Sequence, residues 1–166
     1  MPTVDVAALR CRVLFVCANN ICRSPIAEGV FRVVARREGL HQVIVDSAGI
    51  FPNHAGQRPD PRAIAAARAR GYDLSRMRAR QVTVADFARF QWILAMDESN
   101  LRALTCMSPQ GYSGHLGLLL TLTEAPGLRE VPDPYFGARA QFDEVVRLAE
   151  AACMGLASRL AGRPAS

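Results

Sequence analysis

Residues Cys17-Ala18-Asn19-Asn20-Ile21-Cys22-Arg23-Ser24 follow the apolar run Val13-Leu14-Phe15-Val16 without a break and lead straight into Pro25. Four apolar residues in a row, with no alternation, fit a strand buried on both faces, as in a parallel sheet covered by helices. Pro25 is pre-organised for a first helical turn, and Ile26, Val30, Val33 and Val34 continue at mostly helical spacings. The junction is therefore a tight turn from a buried strand into a helix. Open α/β sheets place their ligands at such turns. The turn aims backbone N–H groups inward and the helix N-terminus adds partial positive charge, so the stretch reads as an anion site.

Two side chains make that site chemical. Cys17 sits at the strand end, where the N–H groups and Arg23 favour thiolate over thiol. Arg23 closes the loop with a planar, permanently charged fork that can grip two phosphate oxygens. The Ser24 hydroxyl can donate a hydrogen bond to the sulfur. A sulfur nucleophile, a ring of donors and a fixed guanidinium suit attack on phosphorus. A lone Cys-x5-Arg arises often by chance, and the competing reading is a buried structural Cys near a surface Arg. The strand–turn–helix frame and the Ser-Pro that follows favour function.

The rest of the chain repeats the alternation of strand and helix. Strands are expected at about 11–16, 43–46, 90–95 and 116–122, the last with a partly ordered tail. Helices are expected at about 24–38 (ending near Gly39), from Asp60-Pro61-Arg62 to about 70 with Gly71 as its stop, after Met96-Asp97-Glu98-Ser99-Asn100 to about 107, and at 138–161. Thr83 can cap a short turn through Phe87. Residues 1–10 read as a weakly ordered lead-in, and 50–60 as an irregular loop. In the last helix Phe142, Val145, Val146, Ala149, Ala152, Cys153 and Leu156 form one apolar stripe, which is core. Four short strands alternating with helices predict a parallel sheet in a three-layer α/β sandwich, with helices on both faces. No internal repeat or linker divides residues 1–166, so one domain is expected.

Composition excludes several classes. Half the 166 residues are hydrophobic, and no apolar run approaches the length of a membrane span. The N-terminus lacks the basic and apolar regions of a signal peptide, so a cytoplasmic protein is expected. The formal charge is +5 with every basic residue an Arg. These arginines are scattered over helices, apart from Arg76, Arg78 and Arg80. That favours solvated faces and attraction for anionic substrates over nucleic-acid binding. Five cysteines without paired spacing, and three scattered histidines, argue against a disulfide framework or a metal site.

The run from Val16 to Glu28, Val-Cys-Ala-Asn-Asn-Ile-Cys-Arg-Ser-Pro-Ile-Ala-Glu, resembles the signature of the low-molecular-weight protein tyrosine phosphatases, and the resemblance extends over nearly the whole chain. It implies strand order 2-1-3-4 and hydrolysis of protein phosphotyrosine or small aryl phosphates through a phosphocysteine, without cofactor or metal. Carried over residue by residue, Cys17 is the nucleophile and Arg23 the phosphate-binding arginine. The backbone of Ala18, Asn19, Asn20, Ile21, Cys22 and Arg23 wraps the phosphate, with Asn20, Ser24 and Ser47 supporting the loop. Taken alone, Ser47 could equally be a plain turn residue.

Asp133, in Pro132-Asp133-Pro134-Tyr135-Phe136, resembles the family's general acid. The flanking prolines stiffen its loop, and Pro134 removes a backbone donor that could engage the carboxylate. Tyr135 and Phe136 would wall the cleft against an aryl ring. Asp97 fits either a helix cap or a support behind the site. Cys22 fits either a resolving thiol for oxidised Cys17, as relatives use it, or a small apolar filler.

Three positions depart from the pattern. Asn19 stands where Gly is usual. Asn53 stands where a Trp or Tyr wall is common, with Phe51 nearby but out of register. Met77 stands where a His often anchors the loop Asn. The apolar Ile21 leans towards phosphotyrosine, since relatives acting on phosphoarginine tend to have Thr there. Thioredoxin-coupled arsenate reductases share the loop but need two further neighbouring cysteines, and only Cys106 and Cys153 lie in the second half. A non-catalytic phosphate-binding module on this fold would be expected to have lost the nucleophile, the arginine or the acid. The implied partner is a phosphotyrosine-bearing protein, a bacterial tyrosine kinase among the candidates, with the chain a monomer or weak homo-oligomer.

Overall fold

The computed structural model describes residues 11–123 and 127–163. The expected lead-in at 1–10 lies outside the described residues. β1 (Arg12–Cys17) leads through the anion-site turn into α1 (Arg23–Arg37). β2 (Ile44–Gly49) is followed, after a long irregular loop, by α2 (Pro61–Ala69) and the short α3 (Asp86–Arg89). β3 (Trp92–Ala95) precedes α4 (Glu98–Met107), and β4 (His115–Leu118) runs into a 3₁₀ turn (Leu119–Leu122). α5 (Arg139–Leu160) closes the chain. The strands form one sheet in the order β2-β1-β3-β4, with every neighbouring pair parallel.

β1 is central, so both of its faces must be apolar, and they are divided evenly. Val13, Phe15 and Cys17 belong to one core with α1, α2 and α5. Leu14 and Val16 belong to a second core with Phe87, Phe90 and Leu104 from α3, the residue after it, and α4. The expected stripe of α5 is buried along its full length. Among the described residues no helix is long and apolar enough to cross a membrane.

Three expectations need correction. β2 does not stop at Asp46 but continues to Gly49, pairing Ser47 with Phe15 and Gly49 with Cys17. Ser-Ala-Gly has little strand propensity, and the parallel ladder to β1 overrides it. β4 does not reach Leu122. Leu119, Leu120 and Leu122 are all buried in the core against α5, which an alternating strand could not arrange and a 3₁₀ turn does. Thr83 caps nothing. The buried Asp86 carboxylate instead accepts the Thr83 N–H (2.8 Å) and two bonds from Arg80, and the helix begins at Asp86 itself.

Candidate active site

The turn after β1 curls around the Cys17 sulfur because Asn20 adopts φ of 56°, the one positive φ among described residues other than glycine. Asn populates that region more readily than most residues, and here its side chain is tied on every side. Nδ2 donates to Ser24 Oγ (2.8 Å) and Ser47 Oγ (2.9 Å), and Oδ1 accepts the Arg80 N–H (3.0 Å). Asn20 is thus fully bonded although Met77 stands where relatives often carry His. The Asn20 N–H points at Cys17 Sγ (3.3 Å), and Ser24 Oγ lies 3.0 Å from the same sulfur. Because Ser24 accepts from Asn20, its own proton is left to point at the sulfur or at the more distant Ala48 carbonyl (3.4 Å).

Close approach of β2 completes the loop. A Cβ on Gly49 would lie 2.9 Å from the Asn19 carbonyl carbon and 3.0 Å from Ala18 O and Asn20 N. Only glycine lets the strand end pass this close beneath the loop, a constraint the sequence reading did not extract. Glu28, at the end of the signature run, supports the loop as well. It is buried, and its Oε2 accepts the Ser47 hydroxyl while Arg32 holds Oε1. Burial raises the Glu28 pKa by more than Ser47 and Arg32 lower it.

Arg23 is 4% exposed and held from behind. Its Nη1 donates to Asp97 Oδ2 (2.7 Å) and to the Val131 carbonyl (3.0 Å). Both protons of that nitrogen are spent, which leaves Nε and Nη2 for two oxygens of a ligand. Burial opposes the guanidinium charge, but Cys17, Asp97 and Asp133 outweigh it and hold the proton more firmly than usual. Asp97 fills both expected roles, since its Oδ1 caps α4 through the Asn100 N–H (2.7 Å).

Val131 also anchors the loop carrying Asp133. Its N–H bonds to Met96 O (2.8 Å) while its carbonyl takes Arg23. Asp133 is thereby set with Oδ2 3.9 Å from Arg23 Nη2 and its side chain 57% exposed. Its Oδ1 accepts the Tyr135 N–H (3.1 Å). Pro134 offers no N–H to the carboxylate, but the next residue does, and orients it.

These groups open into one cavity of about 220 Å³ lined by Cys17, Arg23, Asp133, Tyr135, Phe136 and His54, with Ala18, Asn19, Ile21 and Cys22. Tyr135 and Phe136 meet edge to face at 5.0 Å. Arg62, at the start of α2, lies 5.4 Å from the Tyr135 ring. Asn53 is not in the lining. It turns to Asn19 (Nδ2 to Oδ1, 3.2 Å), so two of the departures bond to each other, and His54 faces the cavity instead. Phe51 is half exposed, its backbone held to Ala18 O (2.9 Å). Cys22 is buried, and burial foremost, then the charges of Asp60, Cys17 and Asp133, push its pKa up to about 12. Among the described residues no His, Cys, Asp and Glu side chains gather to hold a metal.

This geometry can bind a tetrahedral anion over a sulfur with a carboxylate at the mouth. Residues 12–164 match the family model of the low molecular weight phosphotyrosine protein phosphatases. The chain belongs to that family. A low molecular weight protein-tyrosine-phosphatase of Streptomyces coelicolor is 42% identical over 149 residues, covering 87% of this chain and 90% of that protein. The crystal structure of an Entamoeba histolytica protein tyrosine phosphatase with Hepes in its active site superposes with a TM-score of 0.88 at 36% identity, covering 92% and 97% of the two chains. Vibrio vulnificus Wzb in complex with benzylphosphonate superposes at 0.78 with 27% identity, covering 91% and 99%. The enzyme is thus a phosphatase by family, with the sheet order and helical layers that family shares.

Proposed function

We propose that the enzyme hydrolyses phosphotyrosine on proteins, and small aryl phosphates, through a phosphocysteine intermediate. The observation that carries this is the convergence of Cys17, Arg23 and Asp133 on one small cavity. The Cys17 thiolate attacks phosphorus, and the bond to the phenolic oxygen breaks as Asp133 gives that oxygen its proton. Nε and Nη2 of Arg23 and the loop N–H groups take up the charge on the equatorial oxygens. The Asp133 carboxylate then removes a proton from water, which attacks phosphocysteine and releases phosphate. The Ser24 proton stabilises the departing thiolate. The apolar Ile21 and the Tyr135–Phe136 pair suit an aryl ring, and the relative Wzb binds benzylphosphonate, which pairs a ring with a tetrahedral anion.

Five free cysteines suit a reducing, cytoplasmic setting, with a phosphorylated protein, such as a tyrosine kinase, as partner. Turnover of p-nitrophenyl phosphate should be blocked by vanadate and unaffected by EDTA. Rapid quench should trap phosphate on Cys17, and a Cys17→Ser enzyme that still turns over would overturn the assignment. Cys153 and Cys106 sit on opposite sides of the sheet, one in the α5 core and one exposed on α4. That separation gives no support to an arsenate reductase relay.

Cys22 lines the same cavity as Cys17 and is proposed as its resolving thiol. A thiol whose pKa stands near 12 attacks poorly. One of the charges raising it, however, is Cys17 itself, and that charge disappears when peroxide converts Cys17 to sulfenic acid. Peptide mapping of peroxide-treated enzyme should join Cys17 to Cys22, and Cys22→Ser should lose the recovery that thiol reductants bring. Recovery equal to wild type would remove the role.

A further inference from the structure

The hydrogen bonds behind the phosphate loop run outward to the surface on a second face. Asn20 reaches Ser47, Ser47 reaches Glu28, and Glu28 is held by Arg32, whose side chain is 52% exposed. Arg32 and Glu28 line a groove of about 620 Å³ between α1 and the segment after α2. Arg36, Arg76 and Arg78 line it too, along with Asp46 and Asp73.

The acids of this groove are already engaged. Asp46 accepts from Arg80 (3.0 Å) and from the Ser47 N–H. Asp73 accepts the Ser75 N–H (2.9 Å), and Glu28 has Arg32 and Ser47. Of its arginines, Arg32 is paired and the other three are not. Among the described residues Arg36, Arg76 and Arg78 form no ion pair, and Arg78 donates only to the Met77 carbonyl. Three exposed guanidiniums thus ring a concave surface without forming an ion pair, Arg76 acting on Asp73 only at longer range. Planar forks of fixed charge in that arrangement suit phosphoryl groups.

We propose that this groove is a regulatory site for a small polyphosphate-bearing anion, felt at Cys17 through Arg32, Glu28, Ser47 and Asn20. The anion draws Arg32 from Glu28. The buried carboxylate then lacks the cation that offsets its burial and takes up a proton, so its hold on Ser47 weakens, and Ser47, no longer fixed, loosens one of the three bonds that keep Asn20 at positive φ. The Ser24–Cys17 contact loosens with it. Arg23 and the cavity rim are untouched, so kcat should fall while KM changes little.

The test uses the full chain with its catalytic site blocked by vanadate, titrated calorimetrically with tripolyphosphate and, separately, with metal-free ATP. One saturable site is expected, and tighter binding of ATP would mark a nucleotide as the ligand rather than a plain polyphosphate. Arg36→Ala with Arg76→Ala and Arg78→Ala should weaken binding by roughly tenfold or more, since charged hydrogen bonds are lost. The same variant should turn over p-nitrophenyl phosphate at the wild-type rate without polyphosphate. Arg76→Glu alone serves as a second variant, and both are checked by thermal melt.

At saturating substrate, where competition at the catalytic site is overcome, tripolyphosphate should lower kcat of wild type and not of the variants. Absence of binding to the blocked enzyme, equal affinity of the variants, or unchanged kcat at saturation would overturn the proposal. The calorimetric arm does not depend on the phosphatase reading, so the failure of one is distinguishable from the failure of the other.

Discussion

Asp133 and Asn53 show how differently single residues bear on this cleft. Asp133 is oriented by the Tyr135 N–H and lies 3.9 Å from Arg23 Nη2, a setting for proton transfer at the mouth. Asp133→Ala should slow phosphotyrosine turnover by roughly 10²–10⁴, the worth of a positioned acid. The loss should shrink along a series of leaving groups that need less protonation, and equal losses across the series would remove Asp133 from the role. Asn53 is turned away from the cavity to Asn19, so that side of the cleft has His54 but no Trp or Tyr ring. Asn53→Trp should lower KM for aryl phosphates by about tenfold or less, because one aromatic pair contributes about 0.5–1.5 kcal/mol beyond its burial. A KM that does not fall would mean that His54 or Phe51 already serves as that wall.

At the scale of elements, the site is made where β1, β2 and the acid loop end together. β2 runs beneath the phosphate loop because Gly49 has no side chain. In Gly49→Ala the new Cβ meets backbone rather than a movable side chain. The cost should be about 1–3 kcal/mol, as for overpacking in a closed core, with kcat lowered because the loop itself must shift. Denaturant unfolding and steady-state kinetics check the two parts, and an unaltered kcat would show that the loop tolerates the displacement. Val131 acts in the same way at the other end of the site, tying β3 to the acid loop through Met96 and to Arg23 through its carbonyl.

Over the whole molecule, α5 is fastened to the end of α2 by ions as well as by core. Glu150 accepts from Arg70 (2.7 Å) and Tyr72 (2.9 Å). Burial would raise its pKa, but these partners outweigh it and lower it. A depressed carboxylate pKa contributes stability above the ordinary value, which is lost as pH falls through the depressed one. Glu150→Gln should therefore reduce the melting temperature at neutral pH and flatten the acid limb of its pH dependence. The pair is partly exposed, worth about 0.2–1 kcal/mol after solvent screening, so the shift should be at most about 4 °C. Equal losses at pH 7 and below pH 3, by calorimetry, would assign the effect to packing instead.

What the sequence determined by itself is whatever is written in neighbouring residues. The apolar run before Cys17, the Cys-x5-Arg-Ser-Pro spacing and the prolines around Asp133 are local patterns with local physics, and they were enough to place a strand, a helix and the two loops that carry the proposed nucleophile and acid. The fold brings those distant stretches together at one cavity. What only the tertiary structure decided depends on contacts between segments far apart in the chain. Ser-Ala-Gly became strand because β1 lies beside it, and the end of β4 became a 3₁₀ turn because three leucines face α5. Asn53 left the cavity for Asn19, and Glu28 became the bridge between the phosphate loop and a second face. Propensity and spacing carry no information on such pairings, since each is set by whichever atoms the rest of the fold delivers to that place.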